Sequence, residues 1–191
     1  IATEIEQPIA IRTEVSYASC IYEEKKSFGG VTAIKALTLA DVQTALANDQ
    51  VPVLIDPALS FLAKIKPDVL VDAVIAKYNT GTSLAMAPLV IALGPGFTAG
   101  IDCHAVIETM RGETLGKIIT RGFALPNTGV PGILHGEAAN RVIHAPASGE
   151  LRRLKHPGAL VEKDEIIAWI GDVPVKTKLA GTLRGLIYDG F

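Results

Sequence analysis

Gly149-Glu150-Leu151-Arg152-Arg153-Leu154 returns thirty-two residues later as Gly181-Thr182-Leu183-Arg184-Gly185-Leu186, and a further glycine follows each copy four residues on, at Gly158 and Gly190. In each copy a glycine turn opens a short leucine-bearing strand and a second glycine turn closes it. That pattern suits a duplicated β unit of hammerhead type. One copy alone cannot bury its apolar face, so the two halves are expected to share a single small core.

Two quasi-symmetric β halves around one core resemble the barrel-sandwich modules of biotinyl and lipoyl carriers. Such carriers need a modifiable lysine at the tip of the hairpin that joins the halves. Here the tip falls near Gly171-Asp172, and the nearest lysines, Lys176 and Lys178, lie down the following strand and are expected to face solvent. Docking of a partner or another domain is therefore favoured over carrier function. The first copy runs on through Val161 to Gly171, whereas the second reaches Phe191, and the chain opens without methionine inside the run Ile1-Ala2-Thr3-Glu4-Ile5-Glu6. Both ends are expected to be cut within larger units.

Upstream of the repeat, the pattern changes to short apolar runs separated by helical spacing. Ile11, Val15, Ala18 and Tyr22 predict an amphipathic helix ending before Glu23-Glu24-Lys25-Lys26 and Gly29-Gly30. Val31–Ala36 reads as a strand, Thr38 and Asp41 as a capping box, and Leu39, Val42 and Leu46 as the stripe of the next helix. Val51–Ile55 is a second strand, 61–65 a short helix, and the runs 69–76 and 89–93 are buried strands. Together they predict an α/β fold containing a partial Rossmann-like parallel layer over residues 1–93. Residues 94–141 read as a β-rich segment with Gly/Pro loops, in which 102–109 and 117–119 pair through the 110–116 turn. Residues 142–191 form the truncated barrel-sandwich module.

The 191 residues are 49% hydrophobic, ample for a core, with a net charge of −2 from eighteen basic and twenty acidic residues. No basic block is present, which argues against nucleic acid as a partner. Cys20 and Cys103 form neither a CxxC motif nor a disulfide framework, and no apolar run is long enough for a membrane helix. A reducing, cytoplasmic setting without membrane attachment is expected.

Gly94-Pro95-Gly96-Phe97-Thr98-Ala99-Gly100 follows a buried strand at the end where α/β sheets present ligands, so Gly94, Gly96, Phe97, Thr98 and Gly100 are candidates to line a phosphate-bearing ligand. Their spacing matches neither a dinucleotide fingerprint nor a P-loop, and spacing alone favours a plain turn. Asp102, His104 and Glu108 fall on one face of a strand by period two, which makes them catalytic candidates: an imidazole oriented by a carboxylate can serve as a general base. A satisfied polar strand face is the alternative, and without a third ligand no metal site is assigned. Cys103 is expected to face the core as an inert thiol. Arg111, Asn127 and Thr128 complete the expected ligand edge, and Lys77, Tyr78, Asn79 and Thr80 follow another apolar run toward it. Glu4 or Glu6, Asp56 and Asp72 are carboxylates near strand ends, and Glu4 or Glu6 would need an upstream glycine loop to bind ribose.

The stretches Thr3 to Arg12, Val71 to Lys77, Ala87 to Gly100, Asp102 to Gly112, and Pro126-Asn127-Thr128-Gly129 together resemble the YqeB-like family, in the same order along nearly the whole chain. Proteins of that family are named as accessories of the selenium-dependent molybdenum hydroxylase system. The resemblance implies a Rossmann-type glycine-rich unit ahead of these residues and a completed β module after them. It also implies a role in maturing or inserting the molybdenum cofactor, or its sulfur or selenium ligand, with a hydroxylase as client. No catalytic residue comes with it. Three functions are open: a cytoplasmic accessory factor binding a nucleotide or molybdopterin, a nucleotide-dependent oxidoreductase or transferase, and a docking scaffold, any of them as a homo-oligomer.

Overall fold

Parallel strands are covered on both faces, so their central members carry apolar side chains without alternation. Val51–Ile55 has that character, with Pro52, Val53 and Leu54 all fully buried. The computed structural model describes residues 1–191. It divides into two compact units, Ile1–Ser60 with Leu134–Phe191, and Phe61–Ile133. The boundaries that composition suggested, at 93/94 and 141/142, divide the chain differently.

The N-terminal part of the first unit holds β1 (Ala2–Glu4), β2 (Lys25–Phe28), β3 (Val31–Ala36) and β4 (Val51–Ile55) in the sheet order β1-β4-β3-β2. β1 and β3 run parallel to β4, and β2 returns antiparallel to β3. Helix α1 (Cys20–Glu23) places Cys20 and Ile21 against Ala33 and Val53, and α2 (Leu39–Ala47) packs on β3 and β4 through Val42 and Ala45. The start of α2 is fixed by the expected capping box. Asp41 N–H donates to Thr38 Oγ1 at 3.2 Å, and Thr38 N–H donates to Asp41 Oδ2 at 2.8 Å.

The amphipathic helix expected from Ile11 to Tyr22 does not form. Two single 3-10 turns, Thr13–Val15 and Tyr17–Ser19, precede the four-residue α1. Ser19 Oγ donates to Thr13 O at 2.9 Å, a side-chain bond that competes with helical main-chain bonding. Ile11 and Val15, which the helical stripe would bury, are 59% and 44% exposed.

The second unit contains α3 (Leu62–Ile65), β5 (Val69–Asp72), β6 (Leu89–Leu93), β7 (Thr98–Ala99), β8 (Ala105–Ile107), β9 (Ile118–Ile119) and β10 (Gly122–Phe123). β5, β6 and β8 are parallel neighbours, and β9 closes the sheet antiparallel to β8, as the 110–116 turn predicted. β7 and β10 form a separate ribbon. Val90, Ala92, Phe97, Cys103, Val106 and Ala124 share the core of the second unit, and Cys103 is fully buried. The run 69–76 is strand only to Asp72, because Asp72 Oδ1 accepts from Val74 N–H at 3.1 Å and Ile75 turns to φ 57°.

The C-terminal part of the first unit is the repeat. β11 (Leu151–Arg153), β13 (Ile166–Ile170) and β14 (Val173–Lys176) make one antiparallel sheet, and β12 (Leu160–Val161) pairs with β15 (Gly181–Thr182) in another. These are two small sheets rather than a closed barrel. Leu151 and Leu183, equivalent in the two copies, are both buried in one core with Val161, Ile167, Ile170 and Val175. Gly171 and Asp172 form the β13–β14 turn with Gly171 at φ 55°, and Lys176 and Lys178 are exposed.

The repeat is asymmetric at one of the two positions where its copies differ, Arg153 and Gly185. Arg153 Nε donates to Ile187 O at 2.5 Å and Nη2 to Leu186 O at 2.7 Å, with the guanidinium 4.6 Å from the centre of the Tyr188 ring. At Gly185 an added Cβ would stand 2.5 Å from Ile11 O, so a side chain is excluded by close main-chain approach. The tail is held further by Tyr188 packing against Tyr22, ring centres 4.5 Å apart and tilted by 37°, and by its hydroxyl donating to Glu23. No helix is long and apolar enough to cross a membrane.

Candidate functional site

Strand order in the second unit brings three loops, 73–82, 94–97 and 108–116, to the carboxyl ends of β5, β6 and β8, where α/β sheets present ligands. Asp72, at the end of β5, is 6% exposed and accepts from Thr82 Oγ1 at 2.5 Å, closing the first loop on itself. Asn79 Oδ1 accepts from Gly81 N–H at 2.8 Å and Thr82 N–H at 2.7 Å. Ile75 and Lys77 hold φ of 57° and 70°, and a β-branched residue in the left-handed region is strained.

The glycine loop is fitted to its neighbours. A Cβ on Gly96, at φ 109°, would lie 2.6 Å from the Tyr78 main chain, and one on Gly94 would lie 2.6 Å from Thr109 Oγ1. Phe97 is buried in the core. The amides of Gly94, Thr98 and Gly100 donate to Ile107 O at 2.9 Å, Asp102 Oδ2 at 2.7 Å and Cys103 O at 2.8 Å. Those three donors are thus engaged within the unit, which does not fit a nest of free amides around a phosphate. Lys77, Tyr78, Thr80, Arg111, Glu113 and Thr114 are exposed polar side chains on the loops at this edge.

The three candidates for acid–base chemistry take separate structural tasks. Asp102 closes the β7 turn through Thr98 N–H. His104 is exposed, and its Nδ1 accepts from Val90 N–H at 2.9 Å while its main-chain N–H donates to Val90 O at 2.8 Å. Glu108 is 3% exposed, accepting from Met110 N–H at 2.7 Å and Leu125 N–H at 2.8 Å. The Leu125 N–H bond foremost, helped by the Met110 and Thr109 amides, outweighs burial and holds its carboxyl below the ordinary range. Strand geometry begins only at Ala105, after a turn at residues 101–102, so the period-two face drawn from Asp102 to Glu108 does not extend to Asp102. Asn127 and Thr128 are exposed in a loop where Thr128 Oγ1 accepts from Val130 N–H at 3.3 Å.

Asp72–Thr82 and Gly94–Thr109 are the contacts that sequence spacing did not pair, since each partner is ten or more residues away in a loop. No three His, Cys, Asp or Glu side chains are grouped to hold a metal ion. A shallow depression of about 760 Å³ lies at the opposite, amino ends of β5 and β6, lined by Lys66, Asp68, Ser83, Met86 and Pro88.

No family model and no solved structure matches the chain. It is 47% identical over 190 residues to the uncharacterized protein YqeB of Escherichia coli (strain K12), a likeness that takes in all of this chain and 35% of YqeB. The chain thus spans about a third of the length of that relative.

Proposed function

We propose that this chain is part of a YqeB-like accessory factor for the maturation of selenium-dependent molybdenum hydroxylases, and that it contributes a scaffold rather than a catalytic centre. The observation that carries the scaffold reading is the separate engagement of Asp102, His104 and Glu108, each by a different main-chain amide. A general base must reach a substrate proton while a second group orients it. Here the imidazole nitrogen that would be oriented already accepts a main-chain bond. The Rossmann-like character of the β3-α2-β4 crossover and the barrel-sandwich character of the duplicated C-terminal module belong to the same proposal, with a hydroxylase as client.

A second reading keeps a ligand at the carboxyl edge of the second unit, met by the exposed side chains of Lys77 and Arg111 beside the Gly96 loop. Convergence of three loops there, with strain at Ile75, favours it. Client maturation in cells expressing full-length protein separates the readings. For His104→Ala, the scaffold predicts hydroxylase activity falling in proportion to folded protein, with no titration by ADP. A folded variant without activity, or ADP binding lost in Lys77→Ala with Arg111→Ala, overturns it.

A further inference from the structure

In-register partners of a sheet share a face. In the second unit Val69 pairs with Leu89, Val71 with Ile91, Ile91 with Ala105, Leu93 with Ile107, and Ile107 with Ile118. All eight side chains of this face are apolar, yet Val69, Val71, Leu89 and Ile118 are 48%, 52%, 40% and 66% exposed. Val90, Ala92 and Val106, on the other face, are fully buried. One face of a mainly parallel sheet is therefore bare and carries no charged residue, although parallel sheets are covered on both sides.

Winding explains why these residues do not cover it. The order β5-β6-β8 advances in one direction, and successive right-handed crossovers that advance the same way lie on the same face. Met86 and Ala87 from the first connection, and Phe97, Ala99 and Cys103 from the second, all pack with Val90, Ala92 and Val106. Cover for the second face must come from chain outside Phe61–Ile133.

We propose that this face is the docking surface for helices from the remainder of a YqeB-length polypeptide. The likeness to YqeB leaves about two thirds of that protein outside these residues. Four strands about 4.8 Å apart make a face roughly 15 Å wide, room for one or two helices of about 10 Å diameter. Helices are the layer that covers parallel sheets, whereas a second copy would stack sheet on sheet. The inference rests on the likeness to YqeB and is independent of any role in hydroxylase maturation.

Thiol labelling of a full-length YqeB-type protein carrying these residues tests it. Cys20 and Cys103 are fully buried, and burial pushes the Cys20 thiol up to about 11, so both are silent to maleimide in the native state. Val71→Cys and Ile118→Cys should label at least about tenfold more slowly than Glu113→Cys, an exposed loop control, at every protein concentration. Val71→Lys should lower the melting temperature by at least about 4 °C, because a charge would enter a dry interface. Equal labelling rates, or an unchanged melting temperature for Val71→Lys, overturn the proposal. Protection lost on dilution overturns it in favour of a second copy, and protection gained only on adding a client overturns it in favour of that client.

Discussion

Replacing Glu108 with alanine removes one carboxylate that anchors two loops, those through Met110 and Leu125. A hydrogen bond to a charged group contributes about 1.5–3 kcal/mol, and the lower end applies here because Leu125 is 49% exposed and water can replace part of its bond. Two such bonds give about 3 kcal/mol, or roughly 6–12 °C in melting temperature for a chain of this size. Calorimetry at neutral pH measures the shift, and Glu108→Gln, which keeps one acceptor, should lose about half as much. The folded carboxyl titrates below its unfolded value, so the native state binds fewer protons there. Its contribution is therefore complete above the unfolded value of about 4.3 and is lost as pH falls through the folded one. The gap between wild type and Glu108→Ala should close accordingly in acid. A variant that melts within about 2 °C of wild type at pH 7 would refute the anchoring role and return Glu108 to the candidates for chemistry.

Gly96→Ala should cost about 3 kcal/mol, because its Cβ would meet the Tyr78 main chain at 2.6 Å and φ 109° strains any side chain. Chemical denaturation in the absence of any ligand should already show that loss; an unchanged midpoint would disprove the close approach. Arg153→Ala should release the C-terminal segment by removing two charge-assisted bonds to Leu186 and Ile187 and the contact with Tyr188. Limited proteolysis should then cut near residues 186–191 several-fold faster, and an unaltered digestion pattern would count against the clamp.

Much of the fold was legible in local pattern. The capping box at Thr38 and Asp41, the strands 31–36, 51–55 and 89–93, and the glycine turn at Gly171 depend on residues a few positions apart, whose chemistry acts before any tertiary contact forms. Ile11 to Tyr22 misled because helical spacing there coincides with Ser19, whose hydroxyl bonds Thr13 O instead of leaving the main chain to pair. The candidate site was legible only as a place. Spacing put Asp102, His104 and Glu108 on a common strand face, and it could not show that Thr98, Val90 and Leu125, four to seventeen residues distant, supply amides that occupy all three.

Sequence alone determined the strands 31–36, 51–55 and 89–93, the capped helix that starts at Thr38, and the duplication of the last third, since those follow from periodicity and turn chemistry. Tertiary structure decided which polar side chains are spent on holding loops, and why Arg153 and Gly185 differ between the two copies. It also decided that one apolar face is buried and the other bare. The physical reason is that burial and hydrogen-bond satisfaction depend on atoms brought together across the chain, and the direction in which the crossovers wind is not written in any local run of residues.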